Sequence, residues 1–200
     1  MYKSAFPSNL ASRHDARSST FHVHGEYDMS DSQASTAERV QEAFTKTPAK
    51  MTMQLARELG IPEADVVRNL PNNLSCELDL SRWEELIRGF EALGKVHVIA
   101  SNGAVTLEAN GLFGNFSTFR EFFNVQTESL DMHIRFAQLG AAFTVVKPSH
   151  MDGHDTLSVQ FFDKSGNSAF KVFLTFGGTA PSPERLAQFK SIQDKFKTQS

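Results

Sequence analysis

The chain is nearly without cysteine. Cys76 stands alone among 200 residues, so no disulfide can close within the chain and no oxidising compartment is required. It has no CxxC partner and reads as a small buried apolar residue. Long apolar runs are missing as well. No window approaches the ~18 apolar residues of a membrane span, so membrane insertion is not expected. Lys3, Arg13 and Arg17 are not followed by an apolar segment, so no signal peptide is read and the expected compartment is the cytoplasm. Basic excess is absent: Lys and Arg total 20 against 23 Asp and Glu, a net charge of -3. A nucleic-acid binder shows a basic surplus or a basic face, so no nucleic-acid partner is expected. Nucleophile elbow, P-loop and dinucleotide fingerprints are all missing.

What is abundant is phenylalanine, 18 residues against two Tyr and one Trp. Phe carries a large apolar ring and no polar handle. Such a surplus builds either a Phe-rich core or a pocket for a flat apolar ligand.

Residues 1–33 are rich in Ser, His, Asp and Arg with little periodicity, which predicts a disordered tail. Met29 offers an alternative start within it, and His22-x-His24 could hold a metal loosely. Residues 34–200 read as one α+β domain, helical over 34–94, then antiparallel sheet and a closing helix over 95–200. Ser35-x-x-Glu38 is a capping box for a first helix. A second helix ends at Gly60, and Ile61-Pro62-Glu63 starts a third. Ser81-x-x-Glu84 is expected to cap a fourth, with Trp83, Leu86, Ile87, Phe90 and Leu93 on one face. The period then switches to two. Lys95–Ser101 and Ala104–Asn110 flank Asn102-Gly103, the signature of a two-residue type I′ hairpin. Strands are expected at roughly 120–127, 131–137 and 141–147, and a last hairpin pairs Thr156–Phe162 with Ala169–Thr175. Ser182-Pro183-Glu184 opens the final helix.

Two motifs invite chemistry. Leu55 to Val66 resembles a helix-turn-helix, but its second helix would present Glu63 and Asp65 to phosphates, which opposes DNA binding. A helical pair packed under the sheet is the simpler reading. His150-Met151-Asp152-Gly153-His154-Asp155 collects metal-capable groups, yet without zinc-site spacing it reads as a solvated loop.

From about residue 50 onward the chain resembles the haem-utilisation carrier proteins of the HutX/ChuX type, and one half of the two-repeat haem-trafficking proteins of the HemS/ChuS type. The resemblance rests on Leu55-Ala56-Arg57-x-Leu59-Gly60, the Gly94–Glu108 hairpin, Phe122-Phe123-Asn124, Asp131-Met132-His133-Ile134, and Leu157–Asp163 with Phe170–Leu174. It departs where some members have His and this chain has Ser101, and where a His-Gly pair is replaced by Arg120-Glu121. It implies haem as bound cargo, a homodimer, and a downstream haem-acceptor protein. A haem-degrading enzyme, or a regulator with a ligand-sensing sheet, is the alternative.

A haem site needs an iron ligand, an apolar slot and cations for two propionates. His133 falls where the family places a ligand, and alternation puts Asp131, His133 and Arg135 on one strand face. No Tyr lies beyond Tyr27 to offer a tyrosinate from the domain. His97 is a second candidate ligand, though a half-buried structural role suits it. Phe116, Phe119, Phe122 and Phe123 are candidates for the slot, and Arg120, Arg135 and Lys171 for the propionates, because a guanidinium pairs bidentately with a carboxylate.

Overall fold

The computed structural model describes residues 34–71 and 74–199. The expected tail, with Met29 and the His22-x-His24 pair, lies outside the described residues.

Capping chemistry defines the helices. α1 (Thr36–Lys46) opens on a capping box in which Ser35 Oγ accepts from Glu38 N–H and Glu38 Oε2 accepts from Ser35 N–H. Two donors that the first turn leaves free are thereby satisfied. α2 (Thr52–Leu59) stops at Gly60, whose φ of 66° is the left-handed value that glycine adopts without a Cβ clash. α3 (Glu63–Arg68) follows and buries Ala64, Val66 and Val67. After the short strand β1 (Ser75–Glu77), α4 (Trp83–Gly89) sits between two 3-10 turns, Leu80–Arg82 and Phe90–Leu93.

Here the expected cap is corrected. Asp79, not Ser81, caps this segment, its carboxylate accepting from both the N–H and the hydroxyl of Ser81. The Ser81 hydroxyl is spent as a donor to a charged acceptor, so the turn starts two residues early as 3-10. The apolar face persists through both turns: Leu86, Ile87, Phe90 and Leu93 are all buried.

Two antiparallel sheets follow. The larger joins β1 to β2 (Lys95–Ser101), β3 (Thr106–Leu112), β7 (Leu139–Pro148), β8 (Asp155–Asp163) and β9 (Ser168–Thr175), in the order β1-β7-β8-β9-β2-β3. The smaller is β4 (Phe116–Phe119), β5 (Phe122–Gln126) and β6 (Asp131–Ile134). α5 (Pro183–Phe196) closes the chain, capped by Ser182 Oγ.

Two turns differ from expectation. The β2–β3 connection spans four residues, not two, because Asn102 Oδ1 accepts from both Ala104 and Val105 N–H and holds a wider loop. The stretch expected as one strand from 120 is instead a hairpin turning at Arg120-Glu121, with Phe119 opposite Phe122. Arg120 takes φ 53° there, so no glycine or proline marked the turn in advance.

The large sheet is covered on both faces at β7 and β8. Its inner face packs Val98, Val159, Phe161 and Val172 against α4, α5 and the small sheet. Its outer face, at β7 and β8, packs Phe143, Val145 and Phe162 against α1–α3. The helix-turn-helix lookalike is thus a wall of the core. Glu63, expected to project from the start of α3, is buried beneath it.

Candidate functional site

Alternation along β5 divides the small sheet into an apolar face and an open one. Phe123 and Val125 point inward with Met132 and Ile134 of β6 opposite them. Phe122, Asn124 and Gln126 point outward, with Ser117 and Phe119 on one side and His133 and Asp131 on the other. Phe123 is 2% exposed, edge-on to Trp83 at 5.3 Å, and belongs to the core. Phe116 packs on the same side, 5.4 Å from Phe123. The four candidate rings therefore separate by strand parity: Phe116 and Phe123 fill the interior, and Phe119 and Phe122 lie on the open face. Phe123 is corrected from a binding residue to a packing one, since adjacent residues on a strand face opposite ways.

On the open face His133 is 56% exposed, with its ring edge-on to Phe122 at 6.2 Å. Its Nδ1 lies 2.7 Å from Asn124 Oδ1, directly across the strands. Its Nε2 lies 3.7 Å from Asp131 Oδ1. Phe119, 64% exposed, extends the aromatic surface.

The two arginines border the rings. Arg135 lies just beyond the end of β6, its guanidinium 4.7 Å from the Phe122 ring centroid and 3.5 Å from Glu121 Oε1. Arg120 stands at the β4–β5 turn, 5.3 Å from the Phe119 centroid. Both are solvent-facing cations over aromatic rings, free to exchange a weak contact for a ligand carboxylate.

Lys171 is not part of this face. It lies on β9 in the large sheet, its side chain 13% exposed, with Nζ 2.6 Å from Glu63 Oε1 and 3.4 Å from Thr52 Oγ1. A buried lysine committed to a buried carboxylate cannot be lent to a propionate without leaving that charge unpaired. Nearby Lys147 donates to the carbonyls of Ala49 and Pro148. Burial, reinforced by the charge of Lys171, pushes its pKa down to about 8.

His97 shows what a closed imidazole looks like in the same protein. It too meets an asparagine across the strands, with Nδ1 2.7 Å from Asn110 Oδ1. Its Nε2, however, has Glu108 Oε2 at 2.9 Å, and its ring lies under Phe176 at 4.0 Å. His150 and His154 belong to a surface turn in which Asp152 accepts from the N–H groups of His154 and Gly178. Among the described residues no three His, Cys, Asp or Glu side chains converge as a metal cluster. Sequence reasoning missed Ser117, which accepts from Asn124 Nδ2 at 3.0 Å and donates to Gln126 Oε1 at 3.2 Å. Its signal was parity: Asn124 falls between the core residues Phe123 and Val125, and Ser117 is its cross-strand partner.

Comparison with known proteins agrees with this architecture. The chain is 25% identical over 166 residues to the intracellular heme transport protein HutX of Vibrio cholerae, covering 82% of this chain and 85% of that one. It superposes on the structure of the heme-binding protein ChuX with a TM-score of 0.68 and 22% identity, covering 78% of this chain and 97% of that one. It also matches the heme-degrading enzyme ChuS of Escherichia coli O157:H7 at TM-score 0.69 and 19% identity, with 83% of this chain spanning 48% of that one. At those identities the two structures establish the shared fold. The family model for haem utilisation ChuX/HutX matches residues 76–192, more than half of the sequence, and the chain belongs to that family.

Proposed function

We propose that this protein binds haem as cargo and carries it to a downstream acceptor protein, with His133 as the iron ligand. The observation that carries this reading is the open face of the small sheet. There an exposed imidazole, two outward aromatic rings and two solvent-facing guanidinium groups lie together. A neutral imidazole supplies a lone pair to iron. Phe119 and Phe122 offer the flat apolar contact, and Arg120 and Arg135 the propionate partners. Phe123 and Lys171 take no part.

The openness of the face favours carriage over breakdown. Release to an acceptor needs a ligand that can be replaced from solvent, whereas oxidative cleavage gains from a site that excludes water. Membership of the ChuX/HutX family and the intracellular relative HutX support the same role. The reading takes the protein to act in the cytoplasm, as a homodimer, without turning haem over by itself.

The test is a hemin titration of wild type beside His133→Ala. Wild type is expected to give a saturable Soret shift, and the variant a weaker or altered one, since removing one iron ligand leaves only the apolar and ionic contacts. An unchanged variant spectrum would discard His133. Absence of hemin uptake by wild type would discard the carrier reading altogether. Biliverdin-like products formed with ascorbate and oxygen in the presence of catalase would make the protein an enzyme.

A further inference from the structure

We infer that Asn124 is a positioning residue that decides which nitrogen of His133 is free for iron. Three hydrogen bonds on the open face form a directed chain. Ser117 Oγ donates its one proton to Gln126 Oε1 at 3.2 Å, so the Ser117 oxygen is left to accept. Asn124 Nδ2 donates to that oxygen at 3.0 Å. The amide is thereby oriented with Oδ1 toward the imidazole, 2.7 Å from His133 Nδ1. An amide oxygen has no proton to give, so the nitrogen facing it carries the proton. Neutral imidazole holds one, which leaves Nε2 with its lone pair, 3.7 Å from Asp131 Oδ1 and beyond hydrogen-bond distance of it.

Asn124 is suited to this part because it is buried in the central strand while both ends of the chain are exposed. Its donation to Ser117 is the bond that resists amide rotation, and that bond is cross-strand, set by the Ser117–Asn124 register. The consequence for ligation rests on the reading that His133 binds haem iron; the tautomer does not. A ligating imidazole whose far nitrogen donates to an acceptor is held in orientation and made more basic, and loss of such an outer partner costs about 10- to 100-fold in metal affinity.

The test begins without haem. In the ¹⁵N-labelled full chain, long-range proton–nitrogen correlation of neutral His133 is expected to show Nδ1 protonated and Nε2 bare. Asn124→Asp keeps the acceptor and should keep this tautomer. Ser117→Ala, at an exposed position, should leave the fold intact, release the amide and populate the Nε2–H form. Asn124→Ala should do the same and weaken hemin binding about 10- to 100-fold, with the ferrous iron–histidine stretch moving to lower frequency. An Nε2–H tautomer in wild type overturns the inference, as does a tautomer indifferent to both Ser117→Ala and Asn124→Ala. If the tautomer responds as expected but His133→Ala leaves the hemin spectrum unchanged, the positioning stands and the iron consequence falls with the reading beneath it.

Discussion

His97 lies flat beneath Phe176, ring centroids 4.0 Å apart and planes 11° from parallel. That stack covers one side of the imidazole, and Glu108 closes its Nε2 edge. His133 meets an asparagine by the same cross-strand contact, but its side chain is 56% exposed and the nearest carboxylate stands 3.7 Å from Nε2. Two histidines that share a cross-strand asparagine contact are thus sorted by the ring that lies over one of them and by how near a carboxylate comes to Nε2.

The sorting has a measurable consequence. His97→Ala should leave the hemin Soret spectrum unchanged while lowering stability by about 1 kcal/mol, the scale of a lost aromatic pair. Chemical denaturation and a hemin titration on the same preparation check both halves. A spectral change in His97→Ala equal to that in His133→Ala would show that the stack opens to admit iron.

Arg120 holds a left-handed backbone conformation that costs a non-glycine residue about 1–3 kcal/mol. Arg120→Gly relieves this at an entropic cost of up to about 1 kcal/mol. The variant is expected to unfold at higher temperature than wild type. If the guanidinium serves a propionate, the same variant should bind hemin less tightly, so stability and affinity should move in opposite directions.

The Lys171–Glu63 pair ties α3 to the large sheet inside the protein. Glu63→Met alone strands a buried ammonium and should cost about 3–5 kcal/mol. Glu63→Met with Lys171→Met removes both charges and should recover most of that loss. Urea denaturation of the single and double variants measures the coupling, and equal destabilisation in both would show that the pair is not what holds the interface.

Lys147 predicts a rise in stability with alkaline pH. Its folded pKa of about 8 lies below its ordinary 10.5. Below pH 8 both states are protonated and the folded state bears the full penalty of a buried charge. Between about 8 and 10.5 the unfolded chain binds the extra proton, so unfolding becomes harder as pH rises. Relative to Lys147→Met, wild type should therefore gain unfolding free energy between pH 7 and 10. A gap that stays constant over that range would mean the lysine is solvated.

Much of this was legible residue by residue. The Ser35–Glu38 box, the left-handed stop at Gly60 and the Ser182 cap are contacts spanning three or four residues, and spacing along the chain is enough to specify them. Alternation in β6 puts His133 outward and Ile134 inward from residue order alone. The same rule separates Phe122 from Phe123. Treating both as slot residues weighed aromatic character over parity.

What spacing could not reveal were the pairings made across the fold. Lys171 reads as a surface cation on its strand, yet its partner lies 108 residues away on α3 and removes it from any ligand. Arg120-Glu121 lacks the usual turn residues, and the hairpin there depends on β4 and β6 flanking β5. His97 and His133 look alike in their own strands, and Phe176 on the segment after β9 makes them different. Local hydrogen bonding and side-chain parity depend on backbone geometry over a few residues, which the order of amino acids encodes directly. Which charges are neutralised and which rings are covered depends on strands and helices brought together by burial of the shared core, and that arrangement exists only once the chain has folded.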